Sequence, residues 1–219
     1  MNSIACKIKD FLQKRINEKN RRRLRNTNPT IVASNCTGGF LYHWLGLEFR
    51  SPFINLYMTP DDFLTALENF DEFINTPIVE SDDNRWNYPV GIGAFDTKIH
   101  FMHYKTFEDA IEAWERRKKR IDKNNMCVIL SNWGGCVAQL ARFERLPFVS
   151  KVVFTDIEYP EFKSSFCLKG YNCKNKANGN VYATQKVNGK RYIDQFDYVG
   201  MLNSMIDKEL GDDTRSENT

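Results

Sequence analysis

The sequence lacks several features that identify common classes of protein. It contains no run of about 18 apolar residues, the length that a membrane-spanning helix requires. The first residues, MNSIACKIKDFLQKR, do not form the continuous apolar segment of a secretory signal, so we expect a cytoplasmic protein whose six cysteines are thiols. No two cysteines have CxxC spacing and the chain has only three histidines, which argues against a structural zinc site.

Composition and charge limit the number of domains and the kinds of partner. The 219 residues suffice for one large domain or two small ones, and 42% hydrophobic with 13% aromatic residues can fill a core. Residues 1–25 hold nine basic and two acidic residues, a net charge of +7, which leaves −4 for the rest of the +3 chain. A mildly acidic body argues against a nucleic-acid-binding surface, so we expect no nucleic-acid partner.

Residues 1–28 form a predicted basic N-terminal arm. Its apolar residues recur at spacings of three and four, which predicts one stripe of an amphipathic helix. These residues are Ile4, Ile8, Phe11, Leu12 and Ile16. A cationic amphipathic helix can bind an anionic membrane surface, which would make the protein peripheral to the inner face of the cell membrane. The alternative is a helix that packs on the domain, followed by a solvated arginine-rich linker.

A ten-residue pattern occurs twice, as IVASNCTGGF from residue 31 and as VILSNWGGCV from residue 128. The shared serine recurs after 97 residues, the glycine after 96 and a downstream proline after 95. Two units are too few for a solenoid, so the pattern indicates a duplicated α/β domain with pseudo-repeats at about 29–75 and 126–162. Chance similarity between two strand-to-helix turns is the alternative.

Strands alternate with helices along most of the chain, which predicts a largely parallel sheet with helices on both faces. The predicted strands are Thr30–Ser34, Phe53–Met58, Ile99–Tyr104, Met126–Ser131, Lys151–Thr155, Ser164–Lys169 and Asn180–Val187. The predicted helices are Phe40–Leu47, Pro60–Phe73, Phe107–Ile121, Gly134–Arg145 and Asp194–Leu210. We therefore expect a single α/β domain at 29–210 that ends in a β-hairpin and a helix, and a disordered tail at 211–219.

The repeated turn is the first candidate binding site. In open α/β sheets ligands collect at the carboxyl ends of strands, where glycines and a helix start can cradle an anion. The candidate substrate-binding residues are Ser34, Asn35, Gly38 and Gly39 in the first turn, and Asn132, Gly134 and Gly135 in the second. If the two strands are neighbours, both turns flank one cleft. Tight turn geometry without a ligand is the alternative.

Cys36 and His103 are the candidate catalytic residues. A thiol at a helix start can act as a nucleophile when a base lies close by. His100 and His103 fall at the end of a predicted strand and point to opposite faces, and His103 lies nearer the carboxyl end. The alternative is a buried, inert cysteine, and Trp133 shows that the second turn lacks the thiol.

Basic and aromatic residues complete the set of candidates. Lys105, Arg117 and Arg120 could hold a diphosphate or a carboxylate. The alternative is a solvated basic face that pairs with neighbouring glutamates. Trp86 and Tyr88 predict either a sugar-stacking surface or core packing. No pattern points to a bound cofactor or metal, so we assign neither.

Three segments carry a resemblance to a known family. They are TIVASNCTGGFLYHWLGLEFRSPFINLYMTPDDF, YPVG and IHFMHYKTFEDAIEAWERRKKRI. From Thr30 to Tyr198 the chain resembles a bacterial family of unknown function whose members are often labelled exopolysaccharide or capsule biosynthesis proteins. The resemblance implies a cytoplasmic α/β protein encoded near polysaccharide-assembly enzymes and no established reaction. Thr37 departs from the family pattern, which has an aromatic residue at this position. This departure argues against a stacking role for position 37.

These observations predict a transferase that modifies or extends a surface polysaccharide. It would hold an anionic donor, such as a nucleotide sugar or an acyl carrier, against the first turn, with His103 as the base. One alternative is a hydrolase or acyl transferase that uses Cys36 covalently. Another is a non-catalytic membrane-surface adaptor that docks on a polysaccharide polymerase complex, for which residues 1–25 matter more than the turns. The oligomeric state stays open.

Overall fold

A computed structural model describes residues 3–83, 85–131, 136–172, 181–182 and 188–216. The strands are β1 (Thr30–Ala33), β2 (Val79–Glu80), β3 (Val90–Ile92), β4 (Lys98–His100), β5 (Met126–Ser131), β6 (Ser150–Thr155) and β7 (Ser165–Cys167). The helices are α1 (Ser3–Arg23), α2 (Thr37–Leu45), α3 (Pro60–Glu68), α4 (Phe70–Asn75), α5 (Phe107–Lys118), α6 (Val137–Arg145) and α7 (Tyr198–Ser216). Short 3-10 helices lie at Ala94–Asp96 and Tyr192–Gln195.

Within these ranges the larger sheet is parallel, with strand order β1-β5-β6-β7. In β1 Ile31 lies opposite Cys127 of β5, a separation of 96 residues that falls inside the offsets of the repeated sequence pattern. The two copies are therefore neighbouring βα units, β1–α2 and β5–α6. Because β1 and β5 are buried along their whole length, their uninterrupted apolar sequences suit a sheet that is covered on both faces.

Alternate residues of the parallel strands enter two separate hydrophobic clusters. Val32 and Val128 pack on one face of the sheet, with α3 to α6, whereas Ile31 and Cys127 pack on the other, with α2 and α7. This two-sided burial follows from the period of two along a strand. It confirms the predicted α/β class with helices on both faces.

The predicted strand Phe53–Met58 is wrong, although most of the segment is buried. Asn55 has a φ of 61°, in the left-handed region, and this interrupts an extended chain. Tyr57 keeps one antiparallel bridge, to His100. A short apolar run bounded by Pro52 and Pro60 therefore forms an irregular buried segment in place of a strand.

The predicted strand Ile99–Tyr104 is also largely wrong. β4 stops at His100 and pairs antiparallel with β3, which pairs antiparallel with β2. The chain then turns, because the N–H of Tyr104 donates to the carbonyl of Phe101 at 3.1 Å. His103 consequently lies in a turn beside a small antiparallel sheet and not at the end of a parallel strand.

All five predicted helices differ from the observed helices in their bounds, and two of them differ most. The helix that Thr59 caps, by accepting from the N–H of Asp62 at 3.2 Å, is interrupted at Asn69 and continues as α4. α7 starts and ends later than the predicted helix Asp194–Leu210, since a 3-10 turn precedes it. Of the predicted strand Asn180–Val187, all but residues 181–182 lies outside the described residues.

The second half of α1 packs on the domain. Asn20 is buried and donates to the hydroxyl of Tyr198 at 2.6 Å. Arg21 donates from Nε to the carbonyl of Trp44 in α2 at 2.8 Å. These contacts correspond to the packed alternative for the C-terminal part of the arm.

The predicted apolar stripe of α1 is divided. Leu12 and Ile16 are half-buried, whereas Ile8 and Phe11 are exposed by 47% and 59%. The exposed pair leaves an apolar surface on the N-terminal turns of a basic helix. Among the described residues, no helix is both long enough and apolar enough to cross a bilayer.

Arg191 joins three segments beneath α1. Its guanidinium lies 3.6 Å from the ring centre of Trp44, donates to Oδ1 of Asn17 at 2.9 Å and pairs with Asp194 at 2.8 Å. The Arg191 and Asp194 side chains are only 1% and 5% exposed. An ion pair this deeply buried depends on both partners, because a lone buried charge is costly.

We expect Arg191→Met to lower the free energy of unfolding by about 3 kcal/mol or more, because it leaves the Asp194 carboxylate buried without its main partner. The matched control is Arg23→Met, which breaks the pair of Arg23 with Asp197, where the side chains are 44% and 58% exposed. That control should cost less than about 1 kcal/mol. Urea unfolding followed by circular dichroism measures both, and equal losses would contradict the assignment.

Candidate functional site

The carboxyl end of β1 is fixed by its two neighbours. The N–H of Ser34 donates to the carbonyl of Ile129 in β5 at 3.2 Å, and the Ser34 carbonyl accepts from the N–H of Met58 at 2.9 Å. The Ser34 hydroxyl accepts from the N–H of Ser131 at 3.4 Å. Ser34 is buried and holds the strand ends together beside the site, and its substrate-binding role stays a prediction.

Cys36 and His103 meet at this strand end. Cys36 is the residue that immediately precedes α2, and its Sγ lies 3.3 Å from Nε2 of His103. Cys36 is half-buried and His103 is exposed, so a reactant can approach the pair from solvent. The structure thus brings together the two residues that the sequence analysis selected as nucleophile and base.

A backbone bridge between the two sheets positions His103. The N–H of Tyr57 donates to the carbonyl of His100 at 2.8 Å, and the N–H of His100 donates back to Tyr57 at 2.9 Å. The next residue, Met58, bonds to Ser34 of the parallel sheet. The turn that follows His100 therefore places His103 over the start of α2.

Burial sets the protonation of the Cys36 thiol. Burial raises the pKa of the Cys36 thiol above its ordinary value, so the thiol is protonated at neutral pH. Among the described residues no side chain bonds to Nδ1 of His103. The arrangement is consequently a dyad within the described part of the chain, without a third residue that orients the imidazole.

Tyr182 is a site residue that the sequence analysis missed. Burial, and secondarily the charge of the Cys36 thiolate, raise the pKa of Tyr182 to about 12. Its ring centre lies 4.5 Å from that of Phe40 in α2. Its phenol is therefore a neutral hydroxyl near Cys36, and no motif around Tyr182 could have indicated this.

In the first repeated turn the side chain of Asn35 makes its hydrogen bonds within the turn. Asn35 is buried, and its Oδ1 accepts from the N–H and the hydroxyl of Thr37 at 2.9 and 2.6 Å. A Cβ on Gly38 would lie 3.2 Å from Cβ of Ala33, so Gly38 lets α2 pack closely on β1. Gly39 has room for a Cβ, with its nearest neighbour at 3.5 Å. The side chain of Asn35 and the space beside Gly38 thus serve the turn itself.

Arg117 and Arg120 both make packing contacts in the structure. Arg117 is 8% exposed, donates to the hydroxyl of Tyr104 at 2.6 Å and lies 5.3 Å from the ring centre of Phe49. Arg120 donates to the carbonyl of Phe49 at 2.9 Å and pairs with Glu48 at 3.1 Å. Both guanidinium groups are engaged in packing at the end of α5, and their anion-binding role stays a prediction.

Lys105 differs from these arginines in position and exposure. It precedes α5, whereas Arg117 lies in the last turn, and a helix of this length separates them by roughly 16 Å. Lys105 is exposed and lies two residues after His103, so it is the exposed cation of the predicted set beside the dyad.

The second repeated turn lies outside the described residues. This applies to Asn132, Gly134 and Gly135, which the sequence analysis assigned to substrate binding. Its flanks are described: Ser131 ends β5 beside Ser34, and Cys136 precedes α6. The predicted adjacency of the two strand ends is confirmed, and the ligand role of the second turn stays a prediction.

A large cavity lies at the other end of the parallel sheet. It has a volume of about 1100 Å³ and is bounded by α3, α4, the amino ends of β5 and β6, and α7. None of the described residues that line it is a cysteine or a histidine. We therefore place the candidate site at the carboxyl end, where the thiol and the imidazole meet.

The described residues contain no group of three or more histidine, cysteine or acidic side chains arranged to bind a metal ion. The dyad is the group that the geometry singles out.

Two comparisons with known proteins identify the family. Residues 7–203 match the family described as "Domain of unknown function (DUF1919)". An "Uncharacterized protein" of Haemophilus influenzae is 39% identical over 202 residues, which cover 90% of this chain and 97% of the relative. The chain therefore belongs to this family of unknown function.

The packing role of Gly38 predicts that alanine substitutions at the adjacent positions Gly38 and Gly39 differ in their effect on stability. Replacing either glycine by alanine in a helix gains up to about 1 kcal/mol of helix propensity. Gly38→Ala should forfeit that gain, because its Cβ meets Ala33, and should be less stable than Gly39→Ala by roughly 1 kcal/mol. Thermal unfolding of both variants tests this, and a Gly38→Ala protein at least as stable as Gly39→Ala would refute it.

The raised thiol pKa predicts the pH profile of Cys36 alkylation. The thiolate is the reactive species. The pH at which iodoacetamide labelling of Cys36 sets in should therefore be higher in the native protein than in the urea-unfolded chain. Peptide mass spectrometry follows Cys36 separately, and Cys127, whose pKa burial raises to about 12, serves as the unreactive internal control. A native profile displaced to lower pH would instead indicate a preformed thiolate–imidazolium pair.

Proposed function

We propose that this family member is a cysteine-dependent acyl transferase or hydrolase, with Cys36 as the nucleophile and His103 as the base. The observation that carries the proposal is the 3.3 Å separation of Cys36 Sγ and His103 Nε2. A thiol and an imidazole at this distance have the geometry of an activated nucleophile. The half-buried thiol also lies at the carboxyl end of a parallel strand, where open α/β sheets bind their ligands.

The first half-reaction forms an acyl thioester. Cys36 Sγ attacks the carbonyl carbon of an acyl donor while Nε2 of His103 takes the thiol proton. The transfer accompanies the attack, because burial keeps the resting thiol protonated. The bond to the leaving group then breaks, and the imidazolium returns the proton to the departing alkoxide or thiolate.

The second half-reaction transfers the acyl group. An acceptor hydroxyl gives its proton to His103 as its oxygen attacks the thioester carbon, and the C–S bond breaks. Cys36 Sγ then recovers its proton from the imidazolium. Water as the acceptor gives hydrolysis, and a sugar hydroxyl gives an O-acylated product.

The start of α2 supplies the electrostatic stabilisation. The N–H groups of Gly38 and Gly39 belong to the first helical turn, where backbone donors have no acceptor within the helix. Such donors stabilise the negative oxygen that develops during acyl transfer. In this proposal the N–H groups of the two glycines donate to the oxyanion, which is consistent with the predicted anion-binding role of the turn.

The donor and the acceptor are further parts of the proposal. An acyl group on an anionic carrier such as coenzyme A suits the exposed Lys105 beside the dyad. A surface polysaccharide or its precursor is the proposed acceptor, in line with the family resemblance given above. We also propose that the exposed Ile8 and Phe11, on a basic helix, attach the protein to the inner membrane face.

The test is covalent capture of the acyl group. After incubation with p-nitrophenyl acetate or acetyl-CoA, intact mass spectrometry should show one added acetyl group, which peptide mapping assigns to Cys36. Cys36→Ala should abolish the adduct, and His103→Gln should slow its formation by about 100-fold or more, because general-base catalysis typically contributes that much.

Two variants control for unspecific effects. Cys136→Ala removes an exposed thiol at the start of α6, and His43→Gln removes an exposed histidine from α2. Both should leave the adduct on Cys36 unchanged. Acetylation that persists in Cys36→Ala at the wild-type rate would refute the proposal and would favour the non-catalytic adaptor.

A further inference from the structure

An aromatic cluster lies next to the dyad and takes no part in the chemistry proposed above. Trp86 stacks on Tyr88 with ring centres 5.5 Å apart at an interplanar angle of 24°. Both rings meet the imidazole of His100 edge-on, at 5.1 and 6.0 Å, and Tyr57 lies 5.7 Å from it on another side. The cluster is thus built on the backbone bridge that positions the catalytic turn.

The cluster is buried at its base and open at its outer face. His100 is 6% exposed, and its Nδ1 has no hydrogen-bond partner among the described residues. Tyr88 is half-buried, whereas the indole of Trp86 is 45% exposed. An aromatic ring that is held from below and exposed on one side offers a flat apolar surface to solvent.

A small cavity of about 310 Å³ adjoins this surface. Trp86 and Tyr88 line it together with Glu80, Asp83, Lys105 and Glu108. Three carboxylates and one ammonium line it, and because Asp83 is paired with the Arg85 guanidinium, the net charge at the cavity is −1. The Arg85 guanidinium holds the pKa of Asp83 well below its usual range, so that carboxylate stays ionised.

We propose that the Trp86–Tyr88 surface and this cavity bind a neutral sugar ring. One face of a pyranose carries C–H groups and can lie on an indole, while its hydroxyl groups can donate to the carboxylates at the rim. A nucleotide also stacks on aromatic rings, but its phosphates would meet the net negative lining. The charge of the cavity therefore favours an uncharged carbohydrate over a nucleotide.

The position of the cavity connects this subsite to the dyad. Lys105 lines the cavity and lies two residues after His103, within the same turn between β4 and α5. A sugar held on Trp86 is thus delivered beside the catalytic base. The role of this sugar as the acyl acceptor rests on the proposed function, whereas the binding of the sugar does not.

The experiment measures sugar binding directly, without turnover. The full chain is titrated with maltohexaose, cellohexaose, tetra-N-acetylchitotetraose and UDP, and binding is followed by calorimetry and by tryptophan fluorescence. At least one neutral oligosaccharide should bind saturably. Trp86→Ala should weaken that binding by at least 10-fold, whereas Phe11→Ala, which removes another exposed aromatic ring on α1, should leave it unchanged.

Three results would overturn the subsite: no binding of any of these oligosaccharides, equal binding by Trp86→Ala, or stronger binding of UDP than of every sugar. Circular dichroism of Trp86→Ala verifies that its fold is intact. Because the readout needs no acyl transfer, failure here leaves the thioester result on Cys36 standing. Failure of the thioester assay would equally leave a measured sugar site in place.

Discussion

The arrangement of the site depends on one backbone bridge between two sheets. Residues 57–58 bond on one side to His100 of the antiparallel sheet and on the other to Ser34 of the parallel sheet. Without this bridge the turn that carries His103 would have no fixed relation to the helix start that carries Cys36. The bridge consists of main-chain hydrogen bonds on buried or half-buried residues, which are costly to leave unmade, so it is a rigid support for the Cys36–His103 pair.

Charged and polar residues of the chain divide into two groups according to burial. Arg117 and Arg191 are buried, and each is held by a hydrogen-bond acceptor and an aromatic ring, so they stabilise the packing of neighbouring segments. Lys105 and His103 are exposed near the start of α2 and remain accessible to a reactant. The site therefore combines an apolar aromatic surface, a protonated thiol and an accessible lysine, and the proposed acyl transfer to a neutral acceptor rests on these three features.

Sequence patterns predicted the parallel βα units well, because β1 and β5 are uninterrupted apolar segments followed by a glycine turn and a helix. The pairing of Cys36 with His103 was predicted from residue type, but the supporting argument placed His103 on a strand that ends at His100. The segment Phe53–Met58 resembles a strand in sequence, and only its three-dimensional contacts reveal the turn at Asn55. Likewise, a run of basic residues in α5 gives no sign of which guanidinium is buried, since that depends on Phe49 and Tyr104 from other segments.

The central claim is that the two-sheet bridge holds the Cys36 thiol within proton-transfer distance of the His103 imidazole. A high-resolution crystal structure of the reduced protein tests it most directly. The account predicts that Sγ and Nε2 lie within about 3.5 Å, close to the reach expected of a general base, with the bonds of Tyr57 to His100 and of Met58 to Ser34 intact. An imidazole turned to solvent, with a separation beyond about 6 Å and no path through one water, would contradict it.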